Sequence, residues 1–126
     1  MCVGAAVGEF YQESRRIIAE HELDFFAGFH VYPRHVAHTV MIIFNQDSEK
    51  GRRRSDLAFR ELAAVAKRYG YSEYRVHLDY MDLLADQYDF NNHALWRTQE
   101  RVRDTLDPNG ILSPGKHGVR SSRYRS

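Results

Sequence analysis

The stretch LDFFAGFHVYPRHVAHTVMIIFN, residues 23–45, contains two runs with the composition of β-strands. The first run, residues 23–32, is rich in aromatic residues, and its Gly28 would weaken a helix but permits close packing in a strand. The second run, residues 38–45, consists mainly of β-branched and apolar residues. Both faces are apolar around residues 41–44, which predicts a central strand covered on both sides. The linker between the runs is short enough for antiparallel pairing.

Amphipathic helical patterns flank this predicted hairpin. Upstream, from Glu9 onwards, one helical face carries a set of mostly apolar residues, namely Phe10, Ser14, Ile17, Ile18 and His21. Downstream, a second helix begins at Ser48 or Ser55, either of which is a suitable N-cap, and runs to Tyr69. Gly70 is the expected helix stop. The order helix, strand, strand, helix predicts an α+β fold of ferredoxin-like type, with helices packed on an antiparallel sheet.

The chain changes character after Gly70. Residues 79–88 and 93–106 have helical patterns, and we expect the second of these helices to bury its apolar stripe, Leu95, Val102 and Leu106, with Trp96 as a further candidate. The next ten residues, DPNGILSPGK at 107–116, contain two tight turns and leave little room for regular structure. Two such turns close together predict a loop that is held against a neighbouring element.

The composition is that of a globular protein. The chain has 126 residues, of which 43% are hydrophobic and 28% charged, so it is one domain or a piece of one rather than a disordered segment. A formal net charge of +1 favours neither nucleic acid nor a membrane surface as partner. Cys2 is the only cysteine, which excludes an intrachain disulfide and fits a reducing compartment. The first residues lack the pattern of a secretory signal, so we expect a cytoplasmic protein.

Tyr74 and Arg75 are the first candidates for chemistry. A phenol hydroxyl beside a permanently charged guanidinium can hold an anionic oxygen in a shielded site. The alternative is an ordinary surface pair. Arg97, on a later helix, is a further candidate, and its alternative is an ion pair with Glu100 or Glu73. The seven histidines show no HExxH spacing and no cysteine partners, so no metal site is expected.

The loop DPNGILSPGK is the most specific signal, and it resembles the C-terminal signature of the FAD-linked oxidases. The similarity extends to LDFFAGFHVYPRHVAHTVMIIFN, YGYSEYRVHLDYMD, YDFNNHALWR and DPNGILSPGKHGV, in the same order and at compatible spacing. These segments look like those of the vanillyl-alcohol oxidase and cresol dehydrogenase type. The resemblance covers residues 9–119 approximately, and it departs at Val119-Arg120-Ser121, where the family usually has an aromatic residue and a proline.

The resemblance implies a role for individual residues. Tyr74 and Arg75 would bind the phenolate oxygen of a para-substituted phenol and would be the catalytic pair. Arg75, Arg97 and Lys116 would contact FAD. His38 would bind substrate; it lies next to Ala37, where relatives often carry a histidine. The reaction would be hydride transfer from the benzylic carbon to flavin, which gives a quinone methide.

The same resemblance implies that the chain is a C-terminal portion of a longer enzyme. Residues 1–69 would be the last part of a substrate cap domain, and residues 70–126 an arm that packs on an FAD-binding domain. That domain, or a partner chain, would be needed for activity. The intact enzyme would be a homodimer that passes electrons to oxygen or to a cytochrome.

An alternative from another functional class is a free-standing α+β module that binds RNA or a protein partner. RNA-binding sheets present aromatic side chains on an open face. Phe25, Phe29 and Tyr32 are the aromatic residues that this alternative requires, together with the basic C-terminal tail.

Overall fold

The computed structural model describes residues 2–73 and 75–124. The chain divides into two compact units, Met1–Tyr74 and Arg75–Ser126. That the residues before Gly70 belong to a substrate cap, and those after it to an arm on a flavin-binding domain, stays a prediction. In the described part of the chain, no helix is long and apolar enough to cross a bilayer.

The first unit has the predicted order of elements. Helix α1 spans Val7–Glu20, strand β1 Asp24–Val31, strand β2 Val36–Ile43 and helix α2 Glu49–Arg68. The strands pair antiparallel without a bulge, from Asp24 opposite Ile43 to Val31 opposite Val36. The α+β fold with an antiparallel sheet is therefore confirmed.

The helices of the first unit end where local sequence chemistry predicts. The Ser48 hydroxyl accepts a hydrogen bond from the Gly51 amide at 3.1 Å, so Ser48 rather than Ser55 is the N-cap of α2. At the other end, Gly70 adopts φ +71°, a left-handed conformation that glycine reaches without strain. Ser55 instead lies buried inside the helix.

The core of the first unit lies between the helices and one face of the sheet. Helix α1 buries Phe10, Ser14, Ile17 and Ile18, which are four of the five residues predicted for its inner face. Phe10 and Ile17 cluster with Val65 of α2, and the chain segments before α1 and after α2 close the cluster with Cys2 and Tyr71. The Tyr71 hydroxyl donates to the Val3 carbonyl at 3.0 Å, which ties these two segments together.

The opposite face of the sheet carries exposed apolar side chains in the described chain. Phe26 pairs with Met41, and both are exposed, as is Ile43. The prediction of a strand covered on both sides was wrong for this chain. Side chains alternate across a strand, so an apolar pattern on both faces requires a packing partner for each face. In the described chain, the helices cover only one of the two faces.

The second unit is built from short helices and turns. A single 3-10 turn at Leu78–Tyr80 leads into α3, Met81–Ala85, and α4 spans Phe90–Leu106. Residues 91–93 of α4 have positive φ, so the predicted break before His93 is present inside this helix. Further 3-10 turns lie at Lys116–Gly118 and Ser122–Tyr124.

The predicted buried stripe of α4 was wrong. Leu95, Val102 and Leu106 are all exposed, and Leu106 retains 76% of its accessible surface. The helix instead turns Glu100 inward and uses its other side chains to hold the loop that follows it. Apolar residues at helical spacing identify a face that favours burial, but not the element that covers it.

Candidate functional site

Of the predicted phenolate-binding pair, Tyr74 lies outside the described residues. Arg75 is the first residue of the second unit and lies in a bend with its side chain exposed. The structure thus presents Arg75 as an exposed cation at the junction in sequence between the two units. The joint role of Tyr74 and Arg75 stays a prediction.

Arg97 lies on α4 and folds back along its own helix. Both terminal guanidinium nitrogens donate to the Asn91 carbonyl at 3.2 Å. Asn91 has φ +46° and lies in the left-handed break, where regular helical bonding is interrupted. Arg97 therefore stabilises the start of α4.

The loop 107–116 is held from inside by the carboxylate of Asp107. This side chain is buried, and its two oxygens accept hydrogen bonds from the amides of Ile111 at 3.1 Å and Leu112 at 2.8 Å. The Leu112 amide is the main cause that holds the pKa of Asp107 below its ordinary value, and the Arg103 guanidinium, 3.6 Å away, acts in the same direction. The Asp107 carboxylate therefore stabilises the turn Asp-Pro-Asn-Gly by accepting hydrogen bonds from the backbone that follows it.

The far end of the loop is held by side chains of α3 and α4. The Trp96 indole donates to the Gly118 carbonyl at 3.1 Å, and the His117 amide contacts the Met81 sulfur at 3.3 Å. Gly118 itself has φ +73° and lies against Ala85. The predicted held loop is therefore present in the second unit.

Lys116 projects from this held loop. It is exposed and is the first residue of the 3-10 turn Lys116–Gly118. Four residues later in the sequence, Arg120 forms a bidentate pair with Asp82, with both N–O distances 2.9 Å, and this pairing lowers the pKa of Asp82. Lys116 is therefore a cation on a fixed backbone, which suits contact with an anionic group.

His38 lies on the helix-facing side of β2, among aromatic rings. Its imidazole stacks on Phe29 with centroids 4.7 Å apart, and it meets Phe10 and Tyr11 at 5.6 and 5.7 Å. Both ring nitrogens are buried without a hydrogen-bond partner among the described residues. Burial lowers the pKa of His38, so the ring is held neutral. Ala37, its neighbour, points to the uncovered face.

This environment predicts the effect of His38→Phe. We expect the variant to be more stable by about 1 kcal/mol at pH 7, because a buried ring with unpaired nitrogens is replaced by an apolar ring of similar shape. Since the folded-state pKa of His38 is lowered, the unfolded wild-type chain takes up the proton first, so the wild type loses stability as pH falls below about 6.5 and the advantage of the variant grows. Urea denaturation at pH 7 and pH 5 measures both effects.

The matched control is His30→Phe, which changes an exposed histidine of the adjacent strand. We expect it to leave the dependence of stability on pH unchanged. Destabilisation of His38→Phe at pH 7 would show that the imidazole has a polar partner in solution and that the aromatic environment described above is incomplete.

The aromatic residues required for RNA binding do not form one open platform. Phe25 contacts Tyr11 of α1 at 5.5 Å, and Phe29 faces the same helix and stacks on His38. Tyr32 stacks on His35 at the hairpin turn, with centroids 4.6 Å apart. Two of the three rings are thus engaged with the helical layer, and the geometry gives no support to the RNA-binding alternative.

Arg103 and the structural role of Asp107 were not predicted from the sequence. Asp107 was predicted only as a turn residue. A signal was present: aspartate at the first position of a turn accepts amide bonds from the following residues. Arg103 precedes Asp107 by four residues, the spacing at which helical side chains of opposite charge meet.

Comparisons with known proteins agree on one family. The sequence profile of "FAD linked oxidases, C-terminal domain" matches residues 3–117. The 4-cresol dehydrogenase [hydroxylating] flavoprotein subunit of Pseudomonas putida is 29% identical over 106 residues, which cover 84% of this chain and 20% of that protein.

Two solved structures carry the same fold. The 4-ethylphenol oxidase from Gulosibacter chungangensis, in its isoeugenol complex, superposes with a TM-score of 0.90 at 36% identity, over 94% of this chain and 23% of the oxidase. The substrate-bound p-cresol methylhydroxylase superposes with a TM-score of 0.82 at 27% identity, over 89% of this chain and 21% of that chain.

The chain spans about a fifth of the length of these relatives. The family resemblance found in the sequence is confirmed, and so are FAD as the cofactor of the family and the oxidoreductase class of its members. The segments that carried the resemblance lie on both units, in the hairpin and in the held loop. The chain belongs to the FAD linked oxidases and matches their C-terminal domain.

Proposed function

We propose that this chain is the C-terminal portion of an FAD-dependent oxidoreductase that oxidises para-substituted phenols. The observation that carries the proposal is the superposition on 4-ethylphenol oxidase over 94% of the chain, with a TM-score of 0.90. Both ethylphenol and cresol in the names of the relatives are para-substituted phenols. Because the chain spans about a fifth of these proteins, we propose that it is inactive alone and completes a flavin-binding portion.

In this proposal, Tyr74 and Arg75 bind the phenol oxygen. The Tyr74 hydroxyl donates a hydrogen bond, and the Arg75 guanidinium supplies the positive charge, so together they favour the phenolate over the phenol. Negative charge on that oxygen is delocalised through the ring and eases departure of hydride from the benzylic carbon. The exposed position of Arg75 at the start of the second unit supports access of a ligand to its side chain.

The residues present also fit FAD. Arg75 and Lys116 are exposed cations, and Arg97 is a half-exposed one, which are the side chains that an anionic diphosphate or reduced flavin ring requires. When bound, FAD would supply the hydride acceptor. Lys116 stands on a loop fixed by the buried Asp107, so binding the cofactor would order its side chain but not its backbone.

We propose further that the intact protein is a homodimer of the cytoplasm. Its relatives are named an oxidase and a dehydrogenase, so we propose dioxygen or a cytochrome as the final electron acceptor. A substrate contact through His38 is also part of the proposal, although the ring lies on the helix-facing side of the sheet. It would act there as a neutral aromatic wall rather than as a base.

A chimeric enzyme tests the function. Residues 3–117 of this chain replace the matching segment of 4-ethylphenol oxidase, and flavin reduction by 4-ethylphenol is followed anaerobically. We expect the chimera to retain FAD and to be reduced. Loss of the donor in Tyr74→Phe or of the charge in Arg75→Ala should slow reduction by about 100-fold each, the usual cost of one group that stabilises a developing charge.

The matched control is Arg53→Ala, which removes an exposed arginine of α2 and should leave the reduction rate unchanged. A chimera that binds FAD and is reduced equally fast after both Tyr74→Phe and Arg75→Ala would exclude the role proposed for the pair.

A further inference from the structure

Arg103, in the last turn of α4, binds the loop that follows it at several points. One terminal nitrogen, Nη1, donates to the carbonyls of Ser113 and Val119 at 3.3 Å each. The other, Nη2, donates to the Leu112 carbonyl and lies 3.6 Å from the Asp107 carboxylate. The Arg103 side chain itself is only 13% exposed, whereas Leu112 and Ser113, whose carbonyls it binds, lie at the surface.

The carbonyls bound by Arg103 lie on the two sides of a short loop. Leu112 and Ser113 precede residues 114–118, and Val119 follows them, so the guanidinium closes the neck of this loop. The Gly115 amide also donates to the Val119 carbonyl, at 3.2 Å, and completes the neck. The loop therefore has a fixed base although most of its residues are exposed.

The backbone inside the neck needs such support. Ser113 and His117 have φ of +41° and +54°, in the left-handed region that residues with a side chain enter at a cost. Lys116 lies between them and is exposed. Without the bonds at the neck, the loop would relax to less strained conformations, and the backbone that carries Lys116 would move.

The geometry also explains why arginine is required. The two terminal nitrogens of Arg103 serve different acceptors, whereas its Nε is buried without a partner in the described chain. A lysine would keep the positive charge but has a single nitrogen, which cannot occupy the positions of both Nη1 and Nη2. The two terminal nitrogens of the guanidinium, and not the positive charge alone, join the two sides of the loop.

We propose that Arg103 is a positioning residue for Lys116: its guanidinium closes the neck of loop 112–119 and so fixes the backbone from which the Lys116 side chain reaches FAD. The flavin contact rests on the proposed function, whereas the closure of the neck does not. The residue itself touches neither cofactor nor substrate in this proposal and acts through the loop.

Hydrogen exchange on the full chain tests the closure. In the wild type, the amides of Gly115, Gly118 and Val119, which donate to carbonyls inside the loop, should be protected. In Arg103→Lys they should exchange at least about tenfold faster, which corresponds to the loss of one charge-assisted hydrogen bond. The single tryptophan, Trp96, should change its fluorescence in the same variant because its indole binds the Gly118 carbonyl.

Arg101→Lys is the matched control on the same helix, and it should change neither signal. Protected amides in the middle of α4 show that Arg103→Lys remains folded. Unprotected loop amides in the wild type, or full protection in Arg103→Lys, would overturn the proposal. Hydrogen exchange of the wild-type loop amides tests the closure of the loop even if Arg103→Lys fails to fold.

FAD release tests the link to Lys116, in a chimeric oxidase that carries residues 3–119 of this chain and so the whole loop. Lys116→Gln and Arg103→Lys should each speed release by about tenfold, and the double variant should be no faster than the faster single variant. Additive effects would overturn the proposal, since Arg103 would then act independently of Lys116. A chimera that shows this coupling but is not reduced by 4-ethylphenol would refute the proposed function and leave the positioning role standing.

Discussion

Replacement of Gly118 by alanine is expected to destabilise the second unit by about 2–4 kcal/mol, the largest stability effect predicted for this chain. The added methyl group would lie 2.5 Å from the Cβ of Ala85 and 3.4 Å from the backbone carbonyl oxygen of Met81, both on α3, so the loop or the helix would have to move. In addition, φ of +73° at this position disfavours any residue with a side chain. Urea denaturation followed by Trp96 fluorescence measures the loss.

The same loop provides a control that separates strain from collision. Gly115 has φ of +78°, and a methyl group added there would lie 3.7 Å from its nearest neighbour, an atom on the flexible side chain of Arg120. Gly115→Ala should therefore cost only about 1 kcal/mol. Ala85→Gly in the background of Gly118→Ala should recover part of the stability. Equal losses in the two alanine variants would show that Gly118 does not pack against Ala85.

Asp107→Asn is expected to lower the urea midpoint of the second unit by about 1 M, which is the second largest effect. The substitution leaves only one carbonyl oxygen where the carboxylate accepted from the amides of Ile111 and Leu112. It also removes the anion beside the guanidinium of Arg103, which stays shielded from water. Asp86→Asn, at an exposed aspartate after α3, is the control and should have little effect.

The stability of the second unit should fall as the pH is lowered. The folded-state pKa of Asp107 is lowered, so the stability that its charge contributes is present above about pH 4 and is lost as pH falls through the folded value. The pKa values of Asp82 and Asp104 are also lowered, the first mainly by Arg120 and the second mainly by Ser122, so acid should unfold this unit cooperatively. Asp107→Asn should flatten this transition. An unchanged acid transition would mean that Asp107 is solvated.

Some parts of the candidate site could be predicted from the sequence and others could not. The loop 107–116 and Lys116 followed from turn chemistry and from the family resemblance, and the structure contains the held loop. His38 was predicted as a substrate contact, and the structure places it on the helix-facing side with neutral character. Because side chains alternate along a strand, His38 and Ala37 must lie on opposite faces of the sheet. Only the packing of α1 shows which of the two faces is covered.

What the sequence determined by itself was local. Helix α1, the hairpin and the Gly70 stop depend on residues a few positions apart, so periodicity and turn chemistry were sufficient. The N-cap of α2 stayed open between Ser48 and Ser55 until the structure showed the Ser48 hydrogen bond. Only the tertiary structure decided that Phe26 and Met41 are uncovered, that Leu106 is exposed, and that Arg103 joins the two sides of a loop up to sixteen residues away. Such contacts join segments that are distant in sequence. The spacing of apolar and charged residues predicts which side chains need a packing or hydrogen-bond partner, but it does not predict which residue that partner is.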